Sequence, residues 1–194
     1  MKTHILNLFP TPIVVVENFI SVEECDLIVE FFKDEGTEHI AFEKNATSTH
    51  GEFKNCLKDV AKKIPKLSNI EKNIDICLIN YVKILGIDGV ALTNSWVNFQ
   101  HKDSVLKEHT HGLSTVSGTL FLKSDSKSSN LNLFNQNPYL VLMRYKEMTN
   151  FNTEYHYIPP NKGNLVLFPS WLKHGSNGTK NMSESRVVLS FNAA

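Results

Sequence analysis

The spacing of apolar residues predicts that the first half of the chain is mainly helical. Three stretches place apolar residues at every third or fourth position, at residues 21–36, 53–64 and 70–85. Ser21 is followed three residues later by Glu24, a capping box that marks the start of the first helix. These amphipathic segments predict three helices that pack as a layer against a sheet.

From residue 90 onward, the pattern changes to short apolar or alternating runs separated by polar loops. These runs predict strands at residues 91–99, 115–122, 130–134, 139–144, 154–158, 164–168 and 186–191. A further strand is predicted at residues 9–16, where prolines favour the edge of a sheet. Because no helical pattern separates the later strands, an antiparallel barrel or jelly roll is favoured over a parallel sheet. The polar region 38–50 predicts no regular element, and the region 145–153 predicts a mobile lid.

The length of the chain predicts a single domain. Its 194 residues are enough to bury a substantial core. We expect one α+β, mainly β, domain over residues 1–194. Residues 1–89 would supply a strand and supporting helices, and residues 90–194 would form the jelly-roll core.

The charges of the chain balance. Twenty Lys and Arg residues and twenty Asp and Glu residues give a formal net charge of zero. A chain without a positive excess has no broad electrostatic attraction to nucleic acid or to an anionic membrane. We therefore expect neither partner, and an acidic ligand would need a local binding site.

The cysteines indicate a reducing compartment. Cys25, Cys56 and Cys77 all lie in apolar periodic segments, as buried thiols do, rather than in a disulfide framework. We find no apolar run long enough for a signal peptide or for the roughly 20 residues of a membrane span. The predicted location is therefore the cytoplasm.

Three histidines indicate a possible metal site. His109 and His111 are two positions apart, so in a strand both side chains point to the same face. Neutral imidazole is a good ligand for Fe, Zn, Cu and Ni. His174 follows a strongly apolar predicted strand, and a barrel brings its early and late strands together. The alternative is a pair of surface histidines in a loop before Gly112, with His174 at the edge of the core.

An arginine opens the last predicted strand. Of the twenty Lys and Arg residues, only Arg144 and Arg186 are arginines. Because the chain otherwise uses lysine, an arginine at the start of an apolar strand suggests that its planar guanidinium is needed there. This group can bind a carboxylate through two hydrogen bonds. A structural salt bridge at the strand end is the alternative.

Several short motifs occur in a characteristic order. They are a Phe-Pro-Thr-Pro opening at residues 9–12 and segments at residues 96–98, 109–111, 117–122, 163–174 and 186–192. Together they resemble the iron(II)/2-oxoglutarate-dependent oxygenases of bacteria and bacteriophages, relatives of the prolyl hydroxylases. The most specific element is the Phe-Pro-Ser-Trp-Leu-x-His segment that ends at His174. The resemblance covers residues 90–192 well and implies a double-stranded β-helix, a cupin-like jelly-roll barrel.

The resemblance implies a role for each histidine. His109 would be the first metal ligand and His174 the distal ligand. His111 would stand where most relatives carry an aspartate or glutamate, so the metal affinity or the choice of metal is expected to differ. Glu108 would not replace the missing carboxylate, because on the same strand it faces away from both neighbouring histidines.

The resemblance also implies a site for 2-oxoglutarate. Arg186 would bind the far carboxylate of this cosubstrate, whose keto and near carboxylate oxygens chelate the iron. Ser190 and Asn98 are further candidates for lining the pocket. Phe121 stands where the family commonly has a tyrosine, which removes a hydroxyl that would touch the cosubstrate.

The implied activity is hydroxylation of an unactivated C–H bond at an Fe(II) cofactor, with 2-oxoglutarate and O2 consumed and succinate and CO2 released. The expected location is the cytoplasm of a bacterium or a phage-infected cell. Trp171 and Phe168 are expected to wall the site against water. The expected substrate is a peptide or protein side chain or a small metabolite. Two alternatives stay open: a three-histidine dioxygenase that does not use 2-oxoglutarate, and a non-catalytic metal-binding jelly-roll module.

Overall fold

The computed structural model describes residues 1–6, 8–51, 54–142 and 144–194. Its helices are α1 (Val22–Phe32), α2 (Cys56–Lys63) and α3 (Ile70–Leu85). Its strands are β1 (Val14–Val16), β2 (Thr37–Glu38), β3 (Ala46–Ser48), β4 (Leu92–Gln100), β5 (Val116–Lys123), β6 (Leu131–Phe134), β7 (Tyr155–Ile158), β8 (Leu165–Pro169), β9 (His174–Gly175) and β10 (Arg186–Ala193). Short 3-10 turns lie at Pro65–Leu67 and Leu140–Leu142.

The three predicted helices are confirmed. At the start of α1, the Ser21 side chain accepts a hydrogen bond from the Glu24 backbone, and the Glu24 side chain accepts one from the Ser21 backbone. Helix α3 ends at Gly86, whose φ of 67° is the left-handed conformation that glycine adopts readily. Helix α2 begins at Cys56, and Phe53, the first residue of the predicted segment, lies outside the described residues.

The strands form two antiparallel sheets. The larger sheet has the order β1-β8-β5-β10-β4-β3-β2, and the smaller has the order β7-β6-β9. All pairings between these strands are antiparallel. The larger sheet does not close on itself, so the architecture is an open jelly roll with a helical layer supplied by residues 22–85. The predicted α+β, mainly β, fold is confirmed, and β1 lies at the edge of the sheet as its prolines predict.

Alternating side chains of the larger sheet enter two separate cores. Leu120 and Leu165 point toward the helices and are fully buried against them. Phe121 and Val166, the next residues along the same strands, pack instead against the smaller sheet. Polar residues that face the smaller sheet therefore lie in a space that is closed on both sides, and this space holds the candidate site.

Two parts of the strand prediction are wrong. The apolar run at 139–144 forms a 3-10 turn at Leu140–Leu142, and Met143 lies outside the described residues. The polar region 38–50 contains β3 and the end of β2, which extend the larger sheet beyond β4. Strands this short are held by backbone hydrogen bonds to a neighbour and leave no apolar alternation in the sequence.

The structure describes the state of the cysteines and the length of the helices. Cys25 and Cys56 are buried free thiols, and Cys77 is a half-buried one. Throughout the described ranges, no helix is both long and apolar enough to cross a membrane.

Candidate metal centre

The three histidines converge between the two sheets. His109 and His174 exchange two backbone hydrogen bonds, of 2.9 Å from the His109 N–H and 3.0 Å from the His174 N–H. The backbone N–H of His111 donates to the carbonyl of Ser170 at 2.9 Å. These bonds connect His109 to β9 and His111 to the turn between β8 and β9. The expectation that His109 and His111 lie on a strand is wrong, because only an isolated bridge forms there.

The imidazoles are close enough to share one ion. One nitrogen from each of the three rings lies within 4.8 Å of the others. The ring centroids are 4.4 Å apart for His109 and His174, 5.0 Å for His109 and His111, and 5.1 Å for His111 and His174. Glu108 does not join them, because its carboxylate lies 3.5 Å from the ammonium of Lys173. The described cluster thus offers three nitrogen ligands and no carboxylate.

Two of the imidazoles are oriented by backbone carbonyls. Nδ1 of His109 lies 2.8 Å from the carbonyl oxygen of Lys107, and Nδ1 of His174 lies 2.9 Å from that of Leu172. A carbonyl oxygen only accepts hydrogen bonds, so each Nδ1 carries the proton and each Nε2 keeps a free lone pair. Contacts of this kind fix the ring orientation and the tautomer of a metal-binding histidine.

Burial keeps the three imidazoles neutral. Desolvation lowers the pKa of His109, and it lowers the pKa of His111 to about 4 and that of His174 to about 3. Repulsion from a positive charge on His109 is a second, smaller cause that lowers the pKa of both His111 and His174. Neutral imidazole is the form that binds a metal, so the cluster is ready to do so at neutral pH. Three neutral nitrogen donors suit a divalent transition metal such as Fe(II).

A small cavity of about 110 Å³ joins the histidines to the inner face of the larger sheet. Its wall includes all six residues predicted from the sequence, namely His109, His111, His174, Arg186, Asn98 and Ser190. Phe168 also lines it, as expected. Trp171 does not, and the expectation that it walls the site is wrong. Its side chain lies on the turn after β8, where it is 54% exposed.

Arg186 brings a buried positive charge to the cavity. It is 4% exposed, and its Nε donates to the carbonyl of Ser129 at 2.9 Å. Its guanidinium carbon lies 5.7 Å from the centre of the Phe121 ring. Burial lowers the pKa of Arg186 to about 10, which leaves it charged at neutral pH. Among the described residues no carboxylate forms an ion pair with it, contrary to the salt-bridge alternative.

Gln100 adds a polar group that sequence reasoning missed. It lies opposite Arg186 in the register of β4 and β10 and lines the cavity. It is 1% exposed, and its side-chain oxygen has no hydrogen-bond partner among the described residues. Buried polar atoms are normally paired, so this acceptor oxygen marks a polar position in the wall that would be satisfied by a hydrogen-bond donor. Its position two residues after Asn98, on the same face of the strand, is the one feature of the sequence that indicates Gln100 as a lining residue.

His39 and His50 also line the cavity, and the sequence pattern did not single them out. Their ring centroids lie 4.9 Å apart, and His50 lies 4.9 Å from Trp96. Trp96 in turn lies 5.9 Å from His111. A row of rings therefore leads from the histidine cluster to the exposed His50. The pairing of β3 with β4 places this polar segment at the site, and no local pattern reveals that pairing.

An open jelly roll with three neutral imidazoles and a buried cation around one cavity has the features of a metal-dependent enzyme that binds an anion. A family model described as "Putative 2OG-Fe(II) oxygenase" matches residues 94–192, which is about half of the chain. The chain belongs to this family of 2-oxoglutarate- and iron(II)-dependent oxygenases. Its cofactors are accordingly Fe(II) and, as cosubstrates, 2-oxoglutarate and O2. No curated protein matches the sequence.

Solved structures share the fold at low sequence identity. HygX from Streptomyces hygroscopicus, crystallised with nickel and 2-oxoglutarate, is 11% identical, with a TM-score of 0.61 over 95% of this chain and 83% of HygX. A prolyl-4-hydroxylase from Pseudomonas putida is 12% identical, with a TM-score of 0.56 over 94% of this chain and 92% of its own. The viral collagen prolyl hydroxylase of Paramecium Bursaria Chlorella virus-1 is 14% identical, with a TM-score of 0.54 over 93% and 94%. These structures support the jelly-roll fold.

Proposed function

We propose that this oxygenase binds Fe(II) through His109, His111 and His174 and hydroxylates an uncharged group of its substrate. The observation that carries the proposal is the combination, in one small cavity, of three neutral imidazoles and a buried arginine without an acidic partner among the described residues. A buried cation is costly unless an anion accompanies it. 2-Oxoglutarate, a dicarboxylate, supplies that anion each time it binds.

The three histidines would hold the metal on one side and leave its remaining positions open toward the cavity. Bound iron couples the conversion of 2-oxoglutarate and O2 to succinate and CO2 with the insertion of one oxygen atom into a C–H bond. The protein contributes fixed ligands, because the backbone carbonyls of Lys107 and Leu172 hold two of the rings. It also excludes water, since Phe168 on the cavity wall is 1% exposed.

Arg186 would bind the carboxylate of 2-oxoglutarate that lies away from the metal. The Ser129 carbonyl holds its Nε, which leaves the terminal amino groups of the guanidinium for the ligand. Asn98 and Ser190 lie on neighbouring strands and line the same cavity, so their side chains would donate further hydrogen bonds. Gln100 lines the same cavity, and its amide nitrogen would donate a further hydrogen bond to the cosubstrate.

The cavity wall favours an uncharged target group. Among the described lining residues there is no Asp, Glu or Lys, and Arg186 is the only fixed charge. A cationic substrate group would therefore find no partner near the metal, and an anionic one would compete with 2-oxoglutarate for Arg186. The target group is thus apolar or neutral and polar, such as an aliphatic side chain or an amide.

The size of the cavity favours a substrate that stays largely outside. Its volume of about 110 Å³ lies below the roughly 300–1,000 Å³ of pockets that enclose a drug-sized ligand. Once the cosubstrate is bound, only a small protruding group would fit. We therefore favour a peptide or protein side chain over a bulky metabolite, with His39 and His50 in contact with the substrate at the entrance.

The three free cysteines support a reducing compartment, the cytoplasm.

The cosubstrate assignment is tested by measuring succinate formation from 2-oxoglutarate in the presence of Fe(II) and O2. His174→Ala should abolish turnover, and Arg186→Ala should raise the KM for 2-oxoglutarate at least about tenfold, the effect of removing one partner of a buried charge pair. Arg144→Ala is the matched control, since Arg144 is exposed, and it should behave as wild type. Equal KM values for the two arginine variants would overturn the assignment, and O2 consumption without 2-oxoglutarate would favour a direct dioxygenase.

The substrate class is tested with a panel of peptides that differ only in one central side chain. We expect neutral side chains to stimulate succinate formation and to gain one oxygen atom by mass spectrometry. His50→Ala should weaken this stimulation while leaving the KM for 2-oxoglutarate unchanged, because His50 lies at the entrance. Preferential oxidation of lysine- or glutamate-centred peptides would contradict the proposal.

A further inference from the structure

We propose that Asn192 is a positioning residue that orients His111 toward the metal by accepting a hydrogen bond from its Nδ1–H. This inference rests on the proposed metal-binding role of His111. Asn192 lies on β10 and is 6% exposed, and its side-chain amide nitrogen lies 3.5 Å from Nδ1 of His111. It would act through His111 and would not touch the metal.

His111 differs from the other two histidines in how its ring is held. His109 and His174 each have a backbone carbonyl within 2.9 Å of Nδ1. Among the described residues, His111 has no such carbonyl, and the Asn192 side chain is the hydrogen-bond partner of its Nδ1. The Asn192 side chain therefore occupies, at His111, the position that a backbone carbonyl occupies at His109 and at His174.

Asn192 is itself held by a buried chain of hydroxyl groups. The Ser117 hydroxyl lies 2.8 Å from the Asn192 side-chain oxygen and 2.8 Å from the hydroxyl of Ser170. Ser117 is 2% exposed and Ser170 is 0% exposed. The backbone carbonyl of Ser170 accepts the N–H of His111, so the chain begins and ends at the same histidine. Such a closed network leaves the Asn192 amide little freedom to move.

The tautomer of His111 decides the orientation of the amide. To bind a metal through Nε2 as a neutral ring, His111 must carry its proton on Nδ1, which then needs an acceptor. A carboxamide keeps its shape when its oxygen and nitrogen exchange places. When the Asn192 side-chain oxygen faces His111, it accepts a hydrogen bond from Nδ1–H. The Asn192 amide nitrogen then donates to the Ser117 hydroxyl, and the Ser117 hydroxyl donates to the Ser170 hydroxyl. Each of these three hydrogen bonds then joins a donor to an acceptor, and all three histidines share one tautomer.

The first test measures the tautomer of the metal-free protein by nitrogen-15 NMR of the histidine side chains at neutral pH. We expect His111 to carry its proton on Nδ1, and we expect Asn192→Ala to shift the tautomer equilibrium of His111 alone. A wild-type His111 with its proton on Nε2 would overturn the proposal, because Asn192 would then be the donor. This readout needs no metal, so it stands even if the proposed function fails.

The second test measures metal affinity with Co(II), a stable substitute for Fe(II), through quenching of tryptophan fluorescence. Trp96 is a suitable reporter because its ring lies 5.9 Å from that of His111. Asn192→Ala should weaken Co(II) binding about 10- to 100-fold, the usual effect of losing an outer contact to a metal ligand. Asn192→Asp keeps the shape and an acceptor oxygen, and it should bind Co(II) at least as well as wild type.

The matched control is Asn94→Ala. Asn94 lies opposite Asn192 in the register of β4 and β10, and neither its side chain nor its backbone contacts His111 through a hydrogen bond in the described structure. Its affinity for Co(II) should equal that of wild type. Unchanged affinity in Asn192→Ala, or equal loss in Asn192→Ala and Asn192→Asp, would contradict a role as acceptor. Failure of the wild type to bind Co(II) would instead count against the proposed function.

Discussion

Each of the three imidazoles in the cavity has its own contact at Nδ1. The carbonyl of Lys107 holds His109, the carbonyl of Leu172 holds His174, and the amide of Asn192 lies against His111. In the proposed metal site, these contacts would set the ring orientations before a metal binds. The protein therefore avoids much of the entropy cost of ordering ligands on binding.

The neutral state of these rings has a consequence for stability. In the unfolded chain the histidines have a pKa near about 6.5, whereas burial lowers the pKa of His111 to about 4 and of His174 to about 3. Below about pH 6.5 the unfolded state thus binds protons that the folded state does not. The free energy of unfolding of the metal-free protein should be largest above that pH and should decrease as the pH falls toward about 4.

Urea unfolding of the metal-free protein at a series of pH values checks this. The slope between about pH 6.5 and pH 4 should be smaller in His174→Ala, which lacks one buried histidine, than in wild type. His4→Ala removes an exposed histidine and should keep the wild-type slope. Identical slopes in wild type and His174→Ala would show that His174 is not held neutral by burial.

Residue types alone predicted the histidine trio and Arg186, because imidazole pairs and a rare arginine carry chemical meaning without a structure. His39, His50 and Gln100 could not be predicted in the same way. Their positions depend on which strands pair, and a glutamine or an isolated histidine in a polar segment has many ordinary explanations.

At the scale of elements, close packing between β5 and β10 shapes the central sheet. Gly118 on β5 lies opposite Phe191 on β10, and the fully buried Phe191 ring covers it. A Cβ added at Gly118 would meet the Phe191 ring at 2.1 Å. Only glycine leaves the ring this space, and the two strands that carry Arg186 and the cavity wall depend on that fit.

Gly118→Ala should therefore destabilise the protein. Overpacking of a well-packed core costs about 1–3 kcal/mol, and we expect a loss of that order in the free energy of unfolding measured with urea. Gly89→Ala is the matched control, because a Cβ there meets nothing within 4 Å and should change stability little. Wild-type stability in Gly118→Ala would mean that the Phe191 ring moves aside at no cost.

Long elements were predictable and short ones were not. Helix α3 and strand β4 show a sustained apolar period, and the structure confirms both. Strands β2 and β9 have two residues each, too few for any period to appear. The run at 139–144 is apolar, but Leu140–Leu142 forms a 3-10 turn, and the described residues of the run belong to neither sheet. The predicted lid at 145–153 follows this turn and stays a prediction.

At the scale of the whole molecule, residues 1–89 complete the fold of the rest of the chain. Strands β1, β2 and β3 extend the larger sheet on both edges. The helices cover its outer face, where Leu120, Leu122 and Leu189 are 0% exposed. The Tyr81 hydroxyl of α3 also donates to the carbonyl of Pro12 at 2.8 Å, next to β1. The single domain over residues 1–194 stays a prediction, and this shared core is what it requires.

A fragment of residues 90–194 should not fold alone. Without the helices, the apolar outer face of the larger sheet would be exposed to water, and such faces aggregate. We expect the fragment to lack dispersed amide signals in NMR and cooperative unfolding in urea, while the full chain shows both. A soluble fragment with a cooperative transition would show that residues 1–89 are a separable unit.

We infer that the three histidines and Arg186 form one site for Fe(II) and 2-oxoglutarate. The most direct measurement is an anaerobic titration of the metal-free protein with Fe(II) and then 2-oxoglutarate, followed by the visible metal-to-ligand charge-transfer band. We expect a band that needs both additions, disappears in His174→Ala, requires at least about tenfold more 2-oxoglutarate in Arg186→Ala, and is unchanged in Arg144→Ala. Bound iron without a band in the wild type, or equal 2-oxoglutarate dependence in the two arginine variants, would contradict the account.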